Sequence, residues 1–240
     1  MVNKPSIAAL VDDFVAGTDD ALGHWLKLHR LLLHDLPARR TISENCLSSL
    51  VQNWESFRSD WQVAAVTRDS SAFLEKLARA ESGAVETALR AKYPASSIVV
   101  DLGLGQHPSR ATIAALLDAD GKNVTYNDKQ KHDRTVAMQL TPAYKAKIFS
   151  ITADDWLLLD LARECRNAIA HRSTASLSRF NEAIHEIRGS KIDSALGGRA
   201  SKVRETGIGT YLYGSVSSDN SQARVMYIGE RIRDIGEKLR

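Results

Sequence analysis

The chain is predicted to fold as an all-α helical bundle, and three observations carry that expectation. Apolar residues recur at alternating steps of three and four through most of its 240 residues, the spacing that lines one stripe of a helix. Proline stops at Pro37 and Pro94 separate such stretches, because proline lacks an N–H and clashes with the preceding turn. Finally, the alternation of strands and helices that a parallel sheet requires never develops beyond one short β-like run. A chain of this length buries a core without disulfides or metals. Residues 1–240 are therefore read as one helical domain, with a basic insertion over about 95–150 and a flexible segment over about 189–220.

The elements follow in order. Leu10, Val11, Phe14, Leu22, Trp25, Leu32 and Leu33 outline a first helix from Ser6 to His34, interrupted around Gly17 and ended by Pro37. Leu47, Leu50, Trp54, Phe57, Trp61 and Ala64 form the stripe of a second, from Ser43 to Val66. A third runs from Ser71 to Lys92. The insertion holds the β-like "SSIVVDL", the turn "GLGQHP", a helix near Ser109 to Asp118, and lysine-rich polar sequence. Thr152 followed three residues later by Asp155 is a capping-box signature, and Asp154 and Asp155 suit the positive end of a helix. Leu158, Leu161, Cys165 and Ala168 then mark its buried stripe. Phe180, Ile184 and Ile187 identify another amphipathic segment, from about Leu177 to Arg188. Glycine and serine around "GIGTYLYGS" point to a loop or small hairpin between Gly189 and Asn220. Val225, Ile228, Ile232, Ile235 and Leu239 define a last helix from Ser221 to Leu239.

Several function classes are set aside. The N-terminal stretch reaches two aspartates before any long apolar region develops, so no signal peptide is expected. Apolar runs fall far short of the roughly 20 residues that cross a bilayer, so no membrane partner is expected and the location is read as cytoplasmic. Cys46 and Cys165 sit inside apolar patterns and are read as buried thiols. His24, His29 and His34 are five residues apart, a step that turns successive side chains by about 140° round the axis; they hold no common metal and are read as solvent or interface residues. "VVDLGLGQ", Val99 to Gln106, with Asp128 downstream imitates a dinucleotide or S-adenosylmethionine loop, but the parallel sheet that such a site needs is missing. No metal and no cofactor are expected.

The net charge of +3 tolerates a polyanion without demanding one. Lys122, Lys129, Lys131, Arg134, Lys145 and Lys147 make the insertion basic, and Tyr126 and Tyr144 offer rings on which bases of single-stranded RNA stack.

The chemistry concentrates in "ARECRNAIAHRS", Ala162 to Ser173, at the end of an apolar helix. Asn167 and His171 are four apart and share a helix face, Arg166 sits one step round, and Arg163 lies one turn before Asn167. A histidine, a permanent cation and an amide are the groups that metal-independent RNA cleavage uses. The ribose 2'-hydroxyl loses a proton as it attacks phosphorus, the leaving 5'-oxygen gains one, and a guanidinium holds the charge that develops on the phosphoryl oxygens. The bland alternative pairs Arg166 with Glu164, Asp160 or Glu182 and uses His171 to cap the last carbonyls. Glu55 falls beside Ser59 and Gln62, a solvent side by default, unless the motif helix packs near it and Glu55 orients Arg166 or His171.

"RNAIAH", Arg166 to His171, resembles the signature of the HEPN domains, a family of α-helical bundles whose motif is an arginine, a few residues and a histidine, with asparagine often next to the arginine. "SLVQNWESFRSDW", Ser49 to Trp61, resembles the tryptophan-glutamate helix of the RiboL-PSP-type branch. The resemblance covers about Ala21 to Lys92 and Thr152 to Leu239 and leaves the insertion aside. It implies a homodimeric endoribonuclease in which two motif helices meet and both copies of Arg166 and His171 line one composite cleft. By position, Arg166 would stabilise the phosphate, His171 would act as general acid/base and Asn167 would orient one of them. Outside what the resemblance implies, Glu55 and Arg163 are read from their placement as supporting residues, and Lys129, Lys131, Arg134 and Arg172 from their charge as RNA contacts. Related enzymes are toxins, some held by an antitoxin or regulatory partner, or effectors of antiviral defence. In one branch a tyrosine, the target of antitoxin modification, stands two residues after the histidine; here that position is Ser173. The alternative reading is a non-catalytic HEPN-type interaction or nucleotide-binding module.

Overall fold

The computed structural model describes residues 6–90, 108–117, 136, 139–197, 203–216 and 222–240, with the backbone alone for 81–90. Its elements are α1 (Ile7–Leu31), α2 (Leu36–Arg68), α3 (Ser71–Arg90), α4 (Arg110–Leu117), α5 (Pro142–Phe149), α6 (Ala153–His171), α7 (Thr174–Glu186), α8 (Asp193–Leu196), a 3-10 turn (Glu205–Gly207), α9 (Ile208–Tyr213) and α10 (Arg224–Glu237). An isolated antiparallel bridge joins Ser215 to Ala223. The all-α expectation holds for the described residues. The β-like run, the glycine turn, Asp128, Tyr126, Lys122, Lys129, Lys131 and Arg134 lie outside them.

The chain divides into two compact units, one of residues 1–10 and 58–149, the other of 11–57 and 150–240. In the first, Trp61 is fully buried and meets Tyr144 edge-on, with ring centroids 6.0 Å apart. Ile113, Val136, Leu140 and Ile148 complete that core, and Gln62 hydrogen-bonds Gln139. Tyr144, read as a ring for RNA bases, is thus engaged in packing.

The second unit carries the motif. Phe14 of α1 stacks on Phe57 of α2 at 4.3 Å and meets Trp54 at 5.9 Å. Asn53 Nδ2 donates to the Phe14 carbonyl at 3.2 Å and to Thr18 Oγ1 at 3.1 Å, and Trp25 Nε1 donates to Ser43 Oγ at 2.9 Å. These contacts order α1 and α2 as an antiparallel pair. Gly17 does not break α1. A Cβ there would fall 3.3 Å from Asn53 Nδ2, so the glycine serves close approach. Pro37 likewise opens α2 instead of only ending its predecessor, since the first turn of a helix needs no proline N–H.

Every residue of the expected α6 stripe, Leu158, Leu161, Cys165 and Ala168, is buried. So are Phe180 and Ile184 of α7, Ile187 just after it, Val225, Ile228, Ile232 and Ile235 of α10, and Leu239 just beyond that helix. The segment expected to be a loop or hairpin is partly helical. Tyr211 of α9 is buried, its hydroxyl donates to the Leu196 carbonyl at 2.7 Å, and its ring meets Phe180 edge-on at 5.5 Å. Tertiary packing there overrides the glycine content. Asn181 clamps the approach to α9 by donating to the Val203 carbonyl at 3.0 Å and accepting from the Val203 amide at 2.8 Å.

Candidate active site

The two ends of α6 set the electrostatics of the second unit. At its start Thr152 Oγ1 accepts from the Asp155 amide at 3.3 Å while the Asp155 carboxylate accepts from the Thr152 amide at 2.9 Å, completing the capping box. The same carboxylate is buried and takes Arg231 Nη2 at 2.8 Å and Lys238. Burial pushes the Asp155 carboxyl up, but hydrogen bonds from Lys238 and Thr152 prevail and hold it below the usual carboxylate value.

At the other end, Arg166 Nη2 donates to Glu55 Oε1 of α2 at 2.5 Å. The side chains are 31% and 27% exposed, which leaves the guanidinium open to a ligand while its carboxylate partner fixes it. Residues of the bland pairing are otherwise engaged. Glu164 receives Arg163 and Arg179, both at 3.3 Å, Asp160 receives Arg163 at 3.1 Å, and Glu182 accepts from Ser178. Glu55 therefore does not face solvent alone, as its neighbours on the sequence imply. Arg163 is held by Asp160 and Glu164.

His171 is the last residue of α6 and is exposed; Asn167, one turn earlier, is half-buried. Neither side chain hydrogen-bonds another described residue. The last turn is closed instead by the Arg172 amide, which donates to the Ala168 carbonyl at 3.0 Å. Five helical steps place Arg166 and His171 about 140° apart round the axis. Asn167 and His171 thus share a face, whereas Arg166 lies on the side of α2.

Arg172 adopts φ 45° and ψ 35°, the left-handed region, and is the one described non-glycine residue with positive φ. This conformation costs on the order of 1–2 kcal/mol in a residue with a Cβ, and such strain gathers at functional sites. Arg172 Nη2 donates to Glu44 Oε2 at 3.1 Å, and Glu44 Oε1 accepts from the Gly209 amide at 3.1 Å. Ser173 begins α7 in a capping box with Ser176, so its hydroxyl is structural.

Sequence reasoning missed a neighbouring cluster on α1, α2 and α9. Arg39 lies 4.5 Å over the Tyr213 ring and its Nη2 is 3.2 Å from His29 Nε2. His29 stacks on Trp25 at 4.4 Å, which corrects its reading as a solvent or interface residue. Burial, then the Arg39 charge, lowers the imidazole below its usual value, so the neutral ring accepts from the guanidinium. The only sequence signal was the pair of adjacent arginines, Arg39 and Arg40, after Pro37.

Both thiols are buried; burial pushes Cys46 up to about 12, and burial together with the Glu44 charge pushes Cys165 well above its usual value. Among the described residues no three His, Cys, Asp or Glu side chains gather as metal ligands, and no helix is long and apolar enough to cross a membrane. Comparison of the chain with family models, with curated proteins and with solved structures returns no match.

Proposed function

We propose that the chain is a metal-independent endoribonuclease that cleaves RNA by attack of the ribose 2'-hydroxyl on the adjacent phosphate. The observation that carries this reading is the half-exposed Arg166 guanidinium, fixed by Glu55 at 2.5 Å on a helix whose last residue is the exposed His171. Arg166 would hold two non-bridging phosphate oxygens and stabilise the charge that grows on them. His171 would take the 2'-hydroxyl proton or deliver one to the leaving 5'-oxygen, with Asn167 on the same face to orient the strand or the ring.

The reaction moves two protons, and each chain brings one histidine to this turn. A second copy would supply the other group, and would also bring a His171 to the Arg166 side of the first. The active form is thus a homodimer with a composite cleft. A toxin or antiviral-defence role, with an antitoxin or other regulator, follows as the biological setting in which such an enzyme is kept silent.

The test is cleavage of mixed RNA by the purified chain in excess EDTA, comparing wild type with His171→Ala and Arg166→Ala at equal melting temperature. Products ending in 2',3'-cyclic phosphate from wild type alone support the proposal. Cleavage that survives both substitutions overturns the assignment of these residues.

A non-catalytic interaction module has its own observation. A groove of about 150 Å³ runs between α1 and α2, lined by Trp25, Leu28, Ile42 and Cys46 among others, and Leu31, Leu33 and Leu36, where α1 turns into α2, are 80%, 53% and 48% exposed. Expression toxicity separates the readings: a nuclease poisons the host unless His171 is replaced, whereas with a module host growth is the same whether or not His171 is replaced.

A further inference from the structure

The half-buried arginines of the second unit divide into two sets. Arg163, Arg166, Arg231 and Arg233 each face a carboxylate within 3.2 Å. Among the described residues, Arg39, Arg40 and Arg224 face none. All three of these surround α9. Arg224 lies 4.9 Å over the Tyr211 ring and donates to the Tyr211 carbonyl at 3.2 Å, although its Nε is buried without a partner. Arg39 has the Tyr213 ring, the His29 nitrogen and the Leu33 carbonyl, all neutral. The Arg40 side chain has no hydrogen bond or ion pair with any described residue, and the Nε atoms of both Arg39 and Arg40 are buried without a partner.

A cation withdrawn from water without a counter-charge is destabilising. A ring beneath Arg39 offsets part of that cost, and nothing among the described residues offsets it for Arg40. The nearest described carboxylate on α2, Glu44, is occupied by Arg172 and the Gly209 amide. These arginines also adjoin the candidate active site. Arg172 follows His171 directly and meets Glu44, which binds Gly209. A Cβ on Gly209 would fall 2.7 Å from the Arg40 Cα, so α9 and α2 touch backbone to backbone there. One turn of α2, about 6 Å, separates Glu44 from Arg40.

We propose that Arg39 and Arg40, with Tyr213, form a phosphate-binding subsite that holds the RNA strand next to the scissile bond. The proposal rests on the nuclease reading for the identity of the anion. Guanidinium groups beside an aromatic ring are the combination that tracks a single-stranded backbone without reading its sequence.

The experiment measures binding of a short fluorescein-labelled single-stranded RNA of mixed sequence to the full chain carrying His171→Ala, which removes cleavage. Arg39→Gln and Arg40→Gln are added in turn, with Arg40→Lys as the charge-keeping variant and the exposed Arg188→Gln as the control, all checked by melting. Each glutamine variant is expected to weaken binding about tenfold, as the loss of one charged hydrogen bond does. Each should also lower the slope of log affinity against log salt by about 0.7. Arg40→Lys should restore most of the slope, and Arg188→Gln should change neither quantity. Unchanged affinity and slope in both glutamine variants overturn the subsite even where wild type cleaves RNA. Arginine-dependent binding by a chain whose wild type never cleaves supports the subsite and removes the nuclease reading. If RNA does not bind but inorganic phosphate raises the melting temperature of wild type and not of Arg40→Gln, the site takes free phosphate and the strand subsite is overturned.

Discussion

The two ends of α6 carry ion pairs of opposite character. At the N-terminal end Asp155 is buried, and Thr152, Arg231 and Lys238 occupy its oxygens. At the C-terminal end Arg166 and Glu55 remain about one-third exposed, His171 lacks a partner among the described residues, and Arg172 is strained. A carboxylate satisfied on every side fixes helix position and has no capacity left for a ligand. A guanidinium held on one side and open on the other has that capacity. Burial and satisfaction, not the mere presence of charge, separate the structural end from the candidate active one.

That contrast breaks most sharply on His171. His171→Ala should lower RNA cleavage by about 10²–10⁴-fold, the usual worth of a general acid/base, with the melting temperature unchanged; a matching loss of fold would make the turn structural. At the opposite end, Asp155→Ala should cost about 3–5 kcal/mol of stability in chemical unfolding, because it leaves Arg231 and Lys238 half-buried without their counter-charge. Equal stability would show that the carboxylate does not anchor α6.

Glu55→Gln tests the intermediate case. Loss of a partly exposed pair should cost no more than about 1 kcal/mol, whereas cleavage should fall with KM little changed, since the guanidinium loses its orientation and not its charge. Acid adds a further distinction. The Asp155 carboxyl lies below its usual value in the fold, so its stabilisation is complete above the unfolded carboxylate pKa of about 3.9 and is lost as pH falls through the lower folded value. Asp155→Asn should remove that part of the acid limb, read from melting temperature against pH, and Glu55→Gln should leave it in place.

The smallest effect belongs to Arg172→Gly. Glycine relieves about 1–2 kcal/mol of left-handed strain and forfeits an exposed pair with Glu44 worth about 0–1 kcal/mol. Stability should therefore stay level or rise slightly while RNA affinity declines. A clear loss of stability would show that the Glu44 bridge, and not the site, explains the strain.

Local signals made much of the fold legible. The Thr152–Asp155 box, the Leu158 to Ala168 stripe and the Val225 to Leu239 stripe each lie within a few turns of chain, where spacing dictates which side chains share a face. Gly17, Pro37 and α9 were misread because their roles depend on neighbours. Gly17 makes room for Asn53, Pro37 starts a helix as readily as it stops one, and α9 is held by contacts with Leu196 and Phe180. The candidate site divides in the same way. Arg166, Asn167 and His171 stand out within six residues, but the partner of Arg166 is 111 residues away, and nothing in the pattern marks Arg172 for a conformation that glycine favours.

The sequence by itself determined a helical chain, the buried stripe of α6 and the placing of arginine, asparagine and histidine at its end, since each is a matter of periodicity and capping along one segment. Tertiary packing settles that Glu55 holds Arg166, that Glu44 ties Arg172 to Gly209, and that Arg39 and Arg40 have no counter-charge among the described residues beside α9. Such pairings join residues far apart in the chain and depend on which helix faces meet, a choice made by the packing of the whole core and not by the spacing within any one helix.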